Sequence, residues 1–402
     1  MANGQIRRMF VFFALALAGL AVLAACSSAD PTPTPKPTAT PTPAPMAVKI
    51  GLLSPQTGPI AQFAPGFEVA AKVAIEELNM ANPGFEFELI VADSGCDGTQ
   101  SATSAQSLID AGVGGIVGAA CSGATLGAIA VAAPAGVPMV SYASTSPAVT
   151  NADDDGYLFR VVPSDAQQAV ALIDVVEALG STNPALVGMT NDYGAGLVDN
   201  FASGWSGTIC TQTSYDPTEG SYDASSIASQ VVDAGCDAAV LMTYATDGAA
   251  IIEALRSQGF DGGLVGADGV SDATFAGVFT DSSALDGLIA TRPRPGKDSS
   301  VKASFSSAYV AAGGDAGGIY TNETYDAVNV VASALMAGSG DIRAALSETG
   351  TGFQGASGNH TFDANGDVLG TGYEVCAFAV SGSDVDFGCP RVWTADGGLS
   401  TQ

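Results

Sequence analysis

Two short segments of this 402-residue chain set side-chain hydroxyls beside free backbone amides: Val117-Gly118-Ala119-Ala120-Cys121-Ser122-Gly123 and Ser141-Tyr142-Ala143-Ser144-Thr145-Ser146-Pro147. Each ends one apolar run and opens the next element. In open parallel sheets such strand-end loops are where ligands settle, because strands deliver side chains there and helix N-termini aim N–H groups at anions. Ser122 and Thr145 could hold a carboxylate, since hydrogen bonds to a charged acceptor are the strong ones. The same residues could equally be helix N-caps. Catalytic alternatives lack parts. His360 is the only histidine, and no GxSxG or P-loop occurs, so a Ser-His-Asp triad has no spare candidate for its base. Gly112-Val113-Gly114-Gly115 is no dinucleotide fingerprint, because the third glycine is misplaced. Asp363-Ala364-Asn365-Gly366-Asp367 has the look of a calcium loop without its later glutamate, and Asn-Gly reads better as a hairpin turn. The expectation is no enzyme, no cofactor and no metal.

The elements that would position these loops alternate. Val48–Ser54 reads as a buried strand, Gly66–Asn79 as a helix, Phe87–Ala92 as a strand, Thr99–Ala111 as a helix and Gly115–Gly118 as a strand. Helix Ser122–Ala132 and strand Val137–Ser141 follow, then a crossing strand at Arg160–Pro163. The alternation restarts with helices at Ala166–Leu179, Gly194–Ser206, Ser225–Ala234 and Gly248–Gln258. They separate strands at Ala185–Met189, Thr208–Thr213, Ala238–Tyr244 and Gly263–Ala267. Gly287–Arg292 leads to the helix Thr321–Met336, and a hairpin is expected over Gly358–Cys376. This is the pattern of an α/β protein with two doubly wound parallel-sheet lobes joined by a multi-strand hinge. The expected lobes are 47–161 with 292–356, and 162–291 with 357–402.

The N-terminus carries a different signal. Arg7 and Arg8, the apolar run Met9–Val22 and Leu23-Ala24-Ala25-Cys26 read as a secretory signal, residues 1–25. The pattern resembles a bacterial lipoprotein signal, which implies acylation of Cys26 and anchoring outside the cell membrane, at the cell surface or periplasmic face. The proline-threonine tract within 26–46 cannot build a core or a helix, and it reads as an extended stalk. Six further cysteines divide into three pairs. Sequence neighbourhood suggests Cys96 with Cys121, Cys210 with Cys236 and Cys376 with Cys389, although six cysteines allow fifteen connectivities. No CxxC exists to favour zinc. The formal charge of −28, falling to −30 if Arg7 and Arg8 leave with the signal, argues against nucleic acid as a partner.

The series GLLSPQTGPIAQFAPG, ADSGCDGTQSA, IVGAACSGAT, VSYASTSP, NDYGAG, VGADGV and FDANGD resembles the branched-chain amino-acid binding proteins of ABC importers, from Ala47 to about Gly370. The resemblance implies a type I periplasmic binding protein fold, a monomer that passes an amino acid to permease subunits. It also implies residue roles. Ser122 and Thr145 would hold the ligand carboxylate, the carbonyl of Ala143 would accept from its ammonium, and Tyr193, Tyr244 and Asp268 would close from the second lobe. Asp268 would pair the ammonium; its own position also allows a helix N-cap. Two departures bear on specificity: Asp268 stands where leucine-type members carry glutamate, and Phe63 where they carry tyrosine. The architecture also binds amides, urea and aromatic acids, and a sensing role is the alternative to transport.

Overall fold

A computed structural model describes residues 44–218, 220–338 and 340–401. The signal, Cys26 and most of the stalk lie outside the described residues. No helix among those described is long and apolar enough to cross a membrane.

The first sheet has five parallel strands: β1 (Met46–Ser54), β2 (Phe85–Asp93), β3 (Gly115–Val117), β4 (Met139–Ser141) and β5 (Leu158–Arg160), in the order β2-β1-β3-β4-β5. Every residue of β3, β4 and β5 is buried, which is why these strands read as continuous apolar runs rather than alternating ones. Helices α1 (Ala64–Ala81), α2 (Gly98–Asp110), α3 (Ser122–Ala132) and α4 (Pro147–Thr150) fall between them. The expected crossing strand at Arg160–Pro163 starts two residues earlier, at Leu158, and joins the sheet in parallel beside β4. The turn at Asp155 and Gly156, both at positive φ, delivers the chain to that edge.

The second sheet repeats the plan. Helices α5 (Asp165–Ala178), α6 (Asp192–Gly204), α7 (Ala224–Ala234) and α8 (Ala245–Ser257) alternate with β6 (Pro184–Met189), β7 (Thr211–Tyr215), β8 (Ala238–Met242), β9 (Gly263–Gly266) and β10 (Leu288–Pro293). The parallel strands run β7-β6-β8-β9-β10. The acidic composition has a local use here. Asp223, Asp272 and Asp281 each accept a backbone N–H at the start of a helix or turn, satisfying donors that the helix cannot.

The chain then returns through α9 (Ser300–Ala311), α10 (Thr321–Ala337) and α11 (Ile342–Thr349), and α10 packs on β3, β4 and α1. Helix α9 has no counterpart in the sequence reading. The expected hairpin Gly358–Cys376 is three separate pieces. β11 (Phe353–Gln354) pairs with β12 (Asn359–His360), Phe362 bridges Val368, and a new strand begins at Tyr373. Gly372 allows that restart: its φ is +116°, and a Cβ there would lie 2.1 Å from the Trp393 carbonyl oxygen. Strands β13 (Tyr373–Ser381), β14 (Asp384–Thr394) and β15 (Gly398–Thr401) extend the second sheet antiparallel to β10. Two expected lobe boundaries cut elements: 291/292 falls inside β10, and 356/357 divides β11 from its partner β12.

All three neighbourhood disulfides form: Cys96–Cys121, Cys210–Cys236 and Cys376–Cys389. Between the sheets lies a buried ion pair. Arg160, at the end of β5, is fully buried, and its Nε and Nη2 donate to the two Asp367 oxygens at 2.7 and 2.8 Å. Nη1 donates to the carbonyls of Ser144 (3.2 Å) and Ser146 (2.9 Å), and Nη2 also reaches Thr150 Oγ1 (2.6 Å). A planar guanidinium with five fixed donors suits this set as a lysine would not. Asp363 to Gly366 makes the turn read from the sequence, and Asp367 is the partner of Arg160.

Two measurements follow from these buried charges. Arg160→Ala strands a largely buried carboxylate and two carbonyls, so urea unfolding is expected to show a loss of about 3–5 kcal/mol; an unchanged midpoint would contradict this account. Glu323, in the first turn of α10, is pushed by burial from its ordinary 4.5 to about 7. Between those values the folded chain keeps a proton that the unfolded chain has released, so this group's contribution to stability is complete below pH 4.5 and is lost as pH rises to about 7. Glu323→Gln should therefore gain on the native chain between pH 5 and pH 8 in parallel urea melts, and an equal difference at both pH values would refute it.

Candidate functional site

In both sheets the strand order reverses beside the first strand of the unit, β1 with β3 and β6 with β8, and ligands of such sheets bind outside the carboxyl ends at that point. Here the two reversal points share one crevice. The first sheet contributes Ile60 and Phe63 after β1, Phe67 on α1, Ala120 and Ser122 after β3, and Ala143 after β4. The second contributes Tyr193 in the first turn of α6, Tyr244 at the start of α8, and Asp268 and Gly269 after β9. Ile319 and Tyr320, just before α10, complete the wall around a cavity of about 30 Å³.

Six of the seven expected residues, Phe63, Ser122, Ala143, Tyr193, Tyr244 and Asp268, thus line one space, and Thr145 does not. Thr145 is buried in the loop that Arg160 grips on either side, and its hydroxyl faces the Asp165 carboxyl. Neither hydroxyl is a cap. Cys121 holds the N-cap position of α3, while the Ser122 hydroxyl accepts from the N–H of Ser146 at 3.2 Å. The cap of α4 is Ser146, not Thr145. Ser122 instead sits in the first turn of α3, where unpaired N–H groups favour an anion.

The opposite wall is built on a buried carboxylate. Asp268 accepts from the Tyr193 hydroxyl at 2.8 Å and from the Tyr320 hydroxyl at 2.6 Å. Tyr193 in turn accepts from the Gly269 N–H at 3.0 Å and stacks on Tyr244, ring centres 5.1 Å apart. Burial drives the Asp268 carboxyl up, against the two phenol hydrogen bonds that pull it down. Burial, then the Asp268 charge, raises both phenols as well, so they remain donors. A second acid lies close. Asp165, the first residue of α5, is buried and is also raised, by burial and then by Asp268, with the Thr145 hydroxyl and the Arg160 charge pulling the other way. The crevice therefore offers hydroxyl and amide donors on one side, and an anionic acceptor among aromatic rings on the other. It can take a small molecule whose negative and positive ends are a few ångströms apart.

Hydrogen bonds span the gap between the sheets, among them Tyr320 to Asp268, the Ile319 N–H to Asp272 Oδ2 (3.0 Å), Ser146 Oγ to the Asp192 carbonyl (2.7 Å) and Thr246 Oγ1 to the Pro59 carbonyl (3.3 Å). The sequence reading missed Tyr320, Asp165 and Arg160. Tyr320 and Asp165 begin helices far from the quoted loops in sequence, and Arg160 was read as part of a crossing strand.

A triad-like cluster lies elsewhere. Ser357, His360 and Asp326 are in contact, but a single nitrogen, His360 Nε2, faces both the Ser357 hydroxyl (2.8 Å) and the Asp326 carboxylate (3.1 Å). A triad needs opposite ring nitrogens for those two partners. Asp326 also accepts from the N–H groups of Ala356 and Ser357, so the cluster ties the β11–β12 loop to α10. Among the described residues, Glu374, Cys376 and Cys389 also come together, but the two sulfurs form a disulfide and the carboxylate pairs Arg292.

The periplasmic binding protein family profile matches residues 47–376. A leucine-, isoleucine-, valine-, threonine- and alanine-binding protein of Pseudomonas aeruginosa is 26% identical over 92% of this chain and 95% of its own length. A Leu/Ile/Val-binding protein homologue of Brucella melitensis is 26% identical over 82% and 90%. Among solved structures, a leucine-binding protein of Thermotoga maritima superposes with a TM-score of 0.75 at 28% identity, covering 87% of this chain and 99% of that one. A branched-chain substrate-binding protein of Streptococcus pneumoniae, solved with isoleucine, has the same fold, with a TM-score of 0.74 at 24% identity over 86% and 100%. By the extent of the profile match and by its two like-ordered sheets meeting at one crevice, the chain belongs to the periplasmic binding protein family.

Proposed function

We propose that this protein is an extracytoplasmic solute receptor of an ABC importer that captures a small aliphatic α-amino acid between its two sheets and presents it to the permease. The observation that carries the reading is the Asp268 carboxylate held across the crevice from Ser122 and the N-terminus of α3. In this reading Ser122 and the hydroxyl of Thr145 take the ligand carboxylate, the Ala143 carbonyl and Asp268 take the ammonium, and Phe63, Tyr193 and Tyr244 enclose the rest. Binding, not bond-making, is the activity. Cys26 anchors the monomer through lipid, with the proline-threonine tract as spacer. The relatives' names support the ligand class, since those proteins are described as binding leucine, isoleucine and valine.

Aromatic and amide ligands fit the crevice less well. A planar acid carries no ammonium, and it would leave Asp268 buried without a cationic partner, which is costly.

Calorimetric titration with the twenty amino acids tests the proposal: heat is expected from leucine, isoleucine, valine or a smaller aliphatic member, and silence from every zwitterion would refute it. Asp268→Ala should then weaken the best ligand by about 2–5 kcal/mol, the range for removing one member of a buried charge pair. An unchanged affinity would place the ammonium elsewhere.

A further inference from the structure

Ile319 and Tyr320 line the crevice on one side and, on the other, a separate cavity of about 280 Å³. The larger cavity has a mixed wall, with Pro293, Phe305 and Tyr309 among its apolar members and Arg292, Lys302 and Asn322 among its polar ones. The crevice, at about 30 Å³, has room for the centres of only about two waters. The second space is the larger, and these two residues are common to both walls.

Tyr320 is fixed by more than packing. Its backbone is left-handed, φ +59° and ψ 12°, a conformation that a bulky residue adopts only when its surroundings enforce it. Its carbonyl accepts from both the N–H and the hydroxyl of Thr324, at 2.9 and 2.7 Å, which pins it to the first turn of α10. Its hydroxyl is pinned at the far side by Asp268 Oδ2. A ring tethered at both ends cannot swing aside without breaking a charge-assisted hydrogen bond, about twice as strong as a neutral one.

We propose that Tyr320 is the partition that sets the size of the ligand's side chain: its ring closes the crevice to anything longer than a short aliphatic group, and without it the crevice and the larger cavity become one site for long apolar or aromatic amino acids. The proposal rests on the amino-acid reading above and adds to it a determinant of specificity. The rings and prolines of that wall predict the direction of the change. Phe305, Tyr309, Pro293 and Pro295 offer apolar surface, so the merged site would reward phenylalanine or methionine over valine.

The experiment separates tether from bulk. Titrations of L-valine, L-leucine, L-methionine and L-phenylalanine are run on the native chain, Tyr320→Phe and Tyr320→Gly. Tyr320→Phe keeps the ring and loses one hydrogen bond to a charged acceptor, so all affinities should fall about tenfold or more with the order of ligands unchanged. Tyr320→Gly keeps the left-handed backbone, which glycine adopts freely, and should raise phenylalanine or methionine above valine. If that variant fails to fold, Tyr320→Asn, small and tolerant of positive φ, replaces it. A folded Tyr320→Gly or Tyr320→Asn with the native order of ligands overturns the partition while leaving the receptor reading intact. A native chain silent to all four ligands, and to the other amino acids, overturns both.

Discussion

One buried carboxylate organises the site. An ionised acid taken out of water costs several kcal/mol unless hydrogen bonds and a counter-charge replace the solvent. Asp268 receives two phenol hydroxyls and, among the described residues, no lysine or arginine. Each donor needs its own anchorage. Tyr193 is fixed by the Gly269 N–H, and Gly269 is glycine of necessity, because a Cβ there would lie 2.3 Å from the Thr243 carbonyl oxygen. Tyr320 is fixed by its helix start on the opposite side of the crevice. The hydrogen bonds lower the cost of the charge without neutralising it, and Asp165 nearby adds to the burden. An ammonium group is the species that such an arrangement rewards.

The anionic end of a ligand meets a different problem. A chain with a formal charge of −28 repels anions at long range, although screening confines the effect to about 8–10 Å at physiological salt. A carboxylate must therefore be held by contact alone. In the proposed reading that contact comes from neutral donors, the Ser122 hydroxyl and the start of α3. Arg160, fully buried, is spent on shape: by gripping the carbonyls on either side of Thr145 it fixes the loop that carries that residue.

Much of this was legible in the sequence, because the governing signals were local. Runs such as Ala238–Met242, buried at every position, announce parallel strands, and the strand-end loops of open sheets carry the site by topology alone. Ser122, Tyr193 and Asp268 were found that way and through the resemblance of their loops. What escaped notice depended on tertiary partners. Nothing around Arg160 in sequence foretells Asp367, which is 207 residues away. Tyr320 follows Gly317, Gly318 and Ile319 in a stretch that reads as loop, and its left-handed backbone has no compositional mark. The hairpin expected over Gly358–Cys376 failed for a related reason: its turn signals were real, but Gly366 and Gly372 punctuate three short pairings rather than one long one.

The bonds across the crevice bear on how a ligand could control the two halves. Neutral hydrogen bonds of the kind that join Thr246 to Pro59 and Ser146 to Asp192 are each worth about 0.5–1.5 kcal/mol net, since water competes for both partners. The Tyr320–Asp268 bond is stronger, yet its acceptor keeps an unneutralised charge that disfavours burial. Such bonds form only while the two sides are close. A ligand shifts such a balance by the difference in its affinity for the two arrangements. In the proposed reading, a zwitterion gripped by Ser122 on one side and Asp268 on the other forms its full set of bonds only when both sides are near, and its ammonium supplies the counter-charge that Asp268 lacks.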